Sequence, residues 1–301
     1  MPRRALLLAR LASFLPLLLA APAPAAAGML RIVAAENFYG DIARQLAGSG
    51  AQVVSVLENA AADPHLFEPG ISNARAVAEA DLVIYNGLAY DVWMARLLAA
   101  APAPHRRVIV AASALARTAP ARNPHIWYDL SVIENVARAI TAQVTALDPQ
   151  NREQYAEHLA RFLASLRPIE AEIARLRARF AGTVIAATEP VAQYLTEAIG
   201  LTMSNARFQL AVMNGTEPSA RDTADFERSL EDHRVHVLLY NRQVASGAVE
   251  RLLGVARRAH VPIVGVTETE PPGMDYQQWI LAEVETVGRA LSEAAADSRP
   301  K

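Results

Sequence analysis

The sequence predicts an α/β protein of two lobes, each a mainly parallel sheet flanked by helices, bridged by one long backbone helix. Three observations lead there. Short apolar runs alternate with helix-like stretches from residue 30 to 111, and the alternation resumes after residue 180. Strands that alternate with helices favour parallel pairing. Between these halves, residues 148–180 contain no glycine and carry one uninterrupted helical stripe. Finally, 301 residues at 52% apolar and 20% charged can bury a sizeable core, which excludes wholesale disorder.

Taken in order, residues 30–35 (LRIVAA) form a buried strand, followed by a helical region around 41–47. Residues 52–57 (QVVSVL) make the second strand. The amphipathic 72–80 leads into a third strand at 81–85 (DLVIY), and Asn86-Gly87 marks a turn. A helix at 92–100 and a strand at 107–111 (RVIVA) complete the first half. In the second half, strands fall at 183–187, 235–240 and 262–266, with helices at 191–199, 220–231 and 249–260. Residues 213–219 read as a turn followed by a helix start.

The segment between begins at Asp148-Pro149, a good helix start. Tyr155, Leu159, Phe162, Leu166, Ile169, Ile173, Leu176 and Phe180 follow at gaps of 4, 3, 4, 3, 4, 3 and 4, which sets all eight on one face. At ~1.5 Å per residue the helix is roughly 45–50 Å long, enough to run along both lobes, and Pro168 should kink it. A coiled-coil dimer seam is the alternative. The short run and its compact α/β flanks favour an intramolecular helix and a monomer. Lobes strapped this way should move little, so ligand discrimination should rest on local chemistry.

Arg3 and Arg4, the apolar run 11–20 and Ala25-Ala26-Ala27 have the form of a secretory signal, expected to be cleaved after Ala27. The organisation expected is therefore signal 1–27, N-terminal lobe 28–147, linking helix 148–181 and C-terminal lobe 182–301. Cleavage removes three arginines (Arg3, Arg4 and Arg10) and no acid, taking the formal charge from −2 to −5. No basic field supports nucleic-acid binding. The chain has no cysteine, which excludes disulfides, thiolate nucleophiles and Cys-type metal sites. A lipid anchor on a cysteine is likewise not expected. Any metal must be held by imidazole nitrogen or carboxylate oxygen.

Four segments carry such groups at strand ends or in adjoining loops, where α/β sheets present their sites. They are Asp63-Pro64-His65-Leu66-Phe67-Glu68-Pro69, Asn123-Pro124-His125-Ile126-Trp127-Tyr128, Thr188-Glu189-Pro190 and Thr267-Glu268-Thr269-Glu270-Pro271-Pro272. Each alone is weak, and Glu189 could equally be a helix cap. Together, two imidazoles from the first half and two carboxylates from the second would make a clamp between lobes. Such nitrogen and oxygen donors suit divalent transition ions.

With Ala34-Ala35-Glu36-Asn37-Phe38-Tyr39-Gly40, Asp63-Pro64-His65, Phe67-Glu68-Pro69, Ala80-Asp81-Leu82-Val83, Asn86-Gly87 and Pro124-His125-Ile126-Trp127, the chain resembles the periplasmic solute-binding proteins of zinc/manganese ABC transporters, from Ile32 to about Leu291. The resemblance implies two α/β lobes on one long helix, a single Zn²⁺ or Mn²⁺ in the cleft, and a location in the periplasm. It implies a membrane permease with its cytoplasmic ATPase as partner, and no catalysis. By the same resemblance His65 and His125 are ligands, Glu189 stands where relatives have His or Glu, and Glu268 replaces the usual Asp, with Glu270 as the alternative.

The chain departs from zinc-type relatives in two ways. Residues 111–123 hold no His-rich loop, and Glu189 stands where such relatives tend to place a third His. The oxygen-rich set tilts toward Mn²⁺, whereas the general affinity order favours Zn²⁺, so both remain open. His105, His158 and His260 have ordinary surface or helix readings, and His233 with His236 could hold an adventitious ion. Trp127 and Tyr128 either shield the site or pack the core. The competing function is a secreted His/carboxylate metallohydrolase, which needs an open metal position and a general base. No His-Glu-x-x-His or Gly-x-Ser-x-Gly signature supports it.

Overall fold

A computed structural model describes residues 29–59, 64–115, 123–244 and 246–297. The expected signal segment 1–27 lies outside the described residues, as does Asp63. Among the described residues the strands form two four-stranded sheets, both wholly parallel. The first contains β1 (Leu30–Glu36), β2 (Ala51–Leu57), β3 (Leu82–Tyr85) and β4 (Arg107–Val110) in the order β2-β1-β3-β4. The second contains β5 (Val184–Ala187), β6 (Thr202–Met203), β7 (Leu238–Asn241) and β8 (Ile263–Val266) in the order β6-β5-β7-β8.

The two lobes thus repeat one topology. In each, the chain steps to one side of its first strand and then crosses to the other. This places a switch point between β1 and β3 and another between β5 and β7, where ligands collect at the carboxyl ends of strands. The strands are apolar because helices cover both faces.

In the first lobe the helices are α1 (Asn37–Ala47), α2 (Ile71–Glu79), α3 (Val92–Ala100) and α4 (Leu130–Leu147). The bridge is α5 (Arg152–Ser165) and α6 (Arg167–Phe180). The second lobe holds α7 (Gln193–Ile199), α8 (Ala206–Met213), α9 (Ala220–Glu231), α10 (Gly247–Arg258) and α11 (Tyr276–Asp297). Side chains fix several starts: Asp129 accepts from the amide of Ser131, Ser219 from that of Asp222 and Ser246 from that of Val249. The turn and helix start expected at 213–219 are therefore present. β6, α8 and α11 are elements that the strand–helix alternation does not predict.

The long helix is interrupted once, at Leu166, two residues before Pro168. The proline has no N–H to give the carbonyl of Ala164, and its ring crowds that carbonyl. All eight stripe residues face inward. Tyr155, Phe162, Leu166, Ile169, Leu176 and Phe180 are buried, and Leu159 and Ile173 pack against the same core. A seam already filled by its own protein supports the intramolecular reading over the coiled coil. That core is continuous across the lobes, joining Ile32, Phe38 and Trp127 to Ile185, Leu195 and Val266. α11 adds a second strap, packing on α6, β8 and α1.

Candidate metal centre

His125 follows Pro124 and immediately precedes a 3₁₀ turn, Ile126–Tyr128. Its side chain is buried, and one residue orients it. Asn123 Oδ1 accepts from the His125 backbone N–H at 3.0 Å and lies 2.5 Å from the ring Nδ1. The same amide donates through Nδ2 to Pro190 O at 2.7 Å and to Gln193 Oε1 at 3.1 Å. The oxygen end therefore faces the ring, the ring proton belongs on Nδ1, and the lone pair belongs on Nε2. Trp127 stands edge-on to the imidazole, ring centres 5.2 Å apart.

His125 Nε2 is buried with no hydrogen-bond partner and points at Glu268 Oε2, 3.4 Å away. Both side chains are almost wholly buried, at 1% and 0% exposure. An imidazole lone pair facing a carboxylate oxygen is unfavourable unless a proton or a cation lies between them. Glu189 joins the group through Asn241, whose Nδ2 lies 2.6 Å from Glu189 Oε2 and 2.5 Å from Glu268 Oε1. Glu189 is not a helix cap: α7 begins at Gln193 after Ala192, with no side-chain cap. The structure thus sets His125 against Glu268 and links Glu189 to Glu268 through Asn241. His65 lies in the 3₁₀ turn Pro64–Leu66, and its side chain lies outside the described residues.

Glu270 goes elsewhere. Asn37 clasps its backbone, donating to Glu270 O at 2.7 Å and accepting from Glu270 N at 3.1 Å. Burial and the charge of Asp41 push its carboxyl up to about 8, with Arg44 opposing. The Glu268 segment is tied across the lobes by Tyr128, whose hydroxyl donates to Thr267 O at 2.8 Å, and within its own lobe by Trp279 Nε1, which donates to Thr267 Oγ1 at 3.0 Å. Tyr128 and Trp127 therefore both pack the core and wall the site.

The surroundings are acidic and buried. Glu36, at the end of β1, is wholly buried. Burial and then the charge of Asp91 hold its carboxyl well above the usual range. Burial pushes Asp91 up to about 6 although it accepts from the amides of Asn86 and Gly87. Burial, followed by the charges of Glu268 and Glu36, raises the Tyr90 hydroxyl. Asn123 and Asn241 were not among the residues that strand-end reasoning selects, although Asn241 closes β7 as Glu189 follows β5. Strand ends present amides to a site as readily as charged and imidazole groups.

His233, His236, His260 and Asp297 line one exposed pocket of about 280 Å³ at the opposite end of the second sheet. Among the described residues, no three His, Cys, Asp or Glu side chains already stand so as to hold a metal ion, neither at this pocket nor at His125, Glu189 and Glu268. An ion at His233 and His236 is not supported.

Two parallel α/β lobes strapped by a long helix, with an imidazole and a carboxylate meeting between them, define a class of two-lobed ligand-binding proteins. The sequence matches the family of the periplasmic component A of the zinc-uptake complex, ZnuA, over residues 32–290, and the chain belongs to that family. The manganese ABC transporter substrate-binding lipoprotein PsaA of Streptococcus pneumoniae is 26% identical over 155 residues, 48% of this chain and 50% of that protein. The chain thus spans about half the length of the streptococcal relatives it matches. A putative metal-binding protein of Treponema pallidum is 21% identical over 288 residues, 90% of each chain. The fold is that of the periplasmic zinc-binding protein TroA of Treponema pallidum, with a TM-score of 0.74, 18% identity, and coverage of 88% of this chain and 99% of that one.

Proposed function

We propose that this chain is a periplasmic receptor that captures one divalent transition-metal ion, Zn²⁺ or Mn²⁺, and delivers it to an ABC permease driven by a cytoplasmic ATPase. The ligands in this reading are His65, His125, Glu189 and Glu268. The observation that carries it is the buried Nε2 of His125 facing Glu268 at 3.4 Å, with Glu189 held on the same amide. A cation between these groups turns a repulsive contact into a favourable one. Residues 28–147 and 182–301 act as the lobes and 148–181 as the brace, working as a monomer. The relatives support the cargo class: PsaA is named for manganese and TroA for zinc.

The streptococcal relatives are named lipoproteins, whereas the 301 residues contain no cysteine. A shell of four protein ligands suits capture and release. It leaves no open position for the water that a hydrolase must activate, so the chain is read as having no catalytic role.

The test is a titration of metal-stripped protein with Zn²⁺ and Mn²⁺, following thermal unfolding, with His65→Ala and His125→Ala alongside. One tight equivalent is expected in the wild type. Free metal at 100 times Kd should add about 2.7 kcal/mol of stability, and both variants should lose it. Undiminished binding in the two variants would refute the assignment. Metal-dependent turnover of a generic ester or peptide would favour the hydrolase.

A further inference from the structure

The two glutamates of the second lobe are not independent. Asn241 partners Val266 across β7 and β8, and Ala187 partners Leu239 across β5 and β7. Glu189 and Asn241 each lie two residues beyond the Ala187–Leu239 pair, and Glu268 lies two beyond Val266. The register therefore sets the amide level with Glu189, and the turn of the chain after Val266 brings Glu268 back to it. Asn241 is buried, and its orientation is fixed because Oδ1 accepts from the backbone N–H of Gln243 at 3.0 Å. The two protons on Nδ2 then serve two acceptors, Glu189 Oε2 at 2.6 Å and Glu268 Oε1 at 2.5 Å.

A carboxylate can give a metal one oxygen or two. Two requires both oxygens to turn toward the ion. An oxygen that keeps a charge-assisted bond to Asn241 is turned toward the amide, and giving up each such bond weighs on the order of tenfold or more in an equilibrium. Asn123 limits the imidazole in the same way, because a ring whose Nδ1 proton is taken offers only Nε2. The separation of the donors agrees. Bonds of about 2.0–2.1 Å at tetrahedral angles place neighbouring donors about 3.3–3.4 Å apart, whereas right angles would place them about 2.8–3.0 Å apart. His125 Nε2 and Glu268 Oε2 are 3.4 Å apart.

We infer that Asn241 holds Glu189 and Glu268 to one donor oxygen each, fixing the site at four coordination and selecting a tetrahedral ion such as Zn²⁺ over six-coordinate Mn²⁺. The inference rests on the ligand set proposed above. Asn241 is a positioning residue: it touches the ligands and not the ion.

The experiment uses Co²⁺ as the probe, because four-coordinate Co²⁺ absorbs strongly in the visible and six-coordinate Co²⁺ only weakly. Metal-stripped wild-type protein should take one equivalent with intense bands. Asn241→Ala should give a weak, six-coordinate-like spectrum. Its Zn²⁺ affinity should fall about 10–100-fold and its Mn²⁺ affinity by less, so that the Zn²⁺/Mn²⁺ preference drops at least about tenfold in competition titrations. A weak spectrum in the wild type would overturn the inference with no variant needed. So would a folded Asn241→Ala protein, checked by circular dichroism, with unchanged bands and preference. Failure of the ligand set itself has a different signature: wild-type protein that takes up no stoichiometric Co²⁺, or uptake that survives His125→Ala, overturns both.

Discussion

The contact between the two straps can be tested by a sign reversal. Gly288 is buried in the interior of α11, where a methyl group would lie 2.8 Å from Leu176 Cδ2 and 3.2 Å from its Cδ1. Leu176 is itself wholly buried on the stripe of α6, so it has nowhere to retreat. Replacing glycine by alanine inside a helix ordinarily stabilises by about 0.8–1 kcal/mol. Overpacking a core costs about 1–3 kcal/mol, so Gly288→Ala should destabilise by up to about 2 kcal/mol. Leu176→Ala alone should cost about 2–5 kcal/mol through lost burial and a cavity. In that background the new methyl meets no obstacle and fills part of the space, so Gly288→Ala should stabilise by about 1 kcal/mol. The coupling is then roughly 1–3 kcal/mol. Urea unfolding of the four proteins, with chelator present so that bound metal adds nothing, reads it directly. If Gly288→Ala stabilises the wild type as much as it stabilises Leu176→Ala, α6 and α11 are not in the tight contact described, and the shared core does not brace the lobes as argued.

Two further outcomes follow from the site and its walls. Burial pushes the Glu283 carboxyl up to about 7 from 4.5, against contacts to Trp279 and Thr267. The folded protein therefore holds a proton that the unfolded chain releases, and stability from this group is complete below about pH 4.5 and lost as pH rises through about 7. The shift corresponds to about 3 kcal/mol as an order of magnitude, so Glu283→Gln should be more stable than the wild type at pH 8 by up to that amount and nearly equal at pH 4.5. Parallel stability curves across this range would contradict the buried, protonated state. Asn123→Ala should release the tautomer and orientation of His125 and weaken metal binding about 10–100-fold while leaving one equivalent at saturation, as isothermal titration would show; an unchanged Kd would remove Asn123 from the site.

The local periods of the chain carried most of the fold. A strand covered on both faces must be an apolar run, and a helix laid along a core must repeat its apolar residues at three and four. Seven of the eight strands and the eight-residue stripe were therefore legible, as was the break near Pro168. β6 was not, because two residues hold no pattern. α11 carries helical spacing at Tyr276, Trp279, Ile280, Val284, Val287 and Leu291, a period legible in the sequence.

The sequence also determined which chemistry is available: imidazole and carboxylate at strand ends, with no thiol anywhere. It could not choose between Glu268 and Glu270. Residues two apart share a face only in a regular strand, and the segment after Val266 is not one. Asn37, more than 200 positions away, grips the backbone of Glu270 while Glu268 turns toward His125. Nor could it reveal Asn241 as the link between two glutamates, because that role exists only once β7 lies between β5 and β8. Donor types are a property of single residues and can be read along the chain. Their number, orientation and spacing are properties of strands brought side by side, and only the tertiary structure decides them.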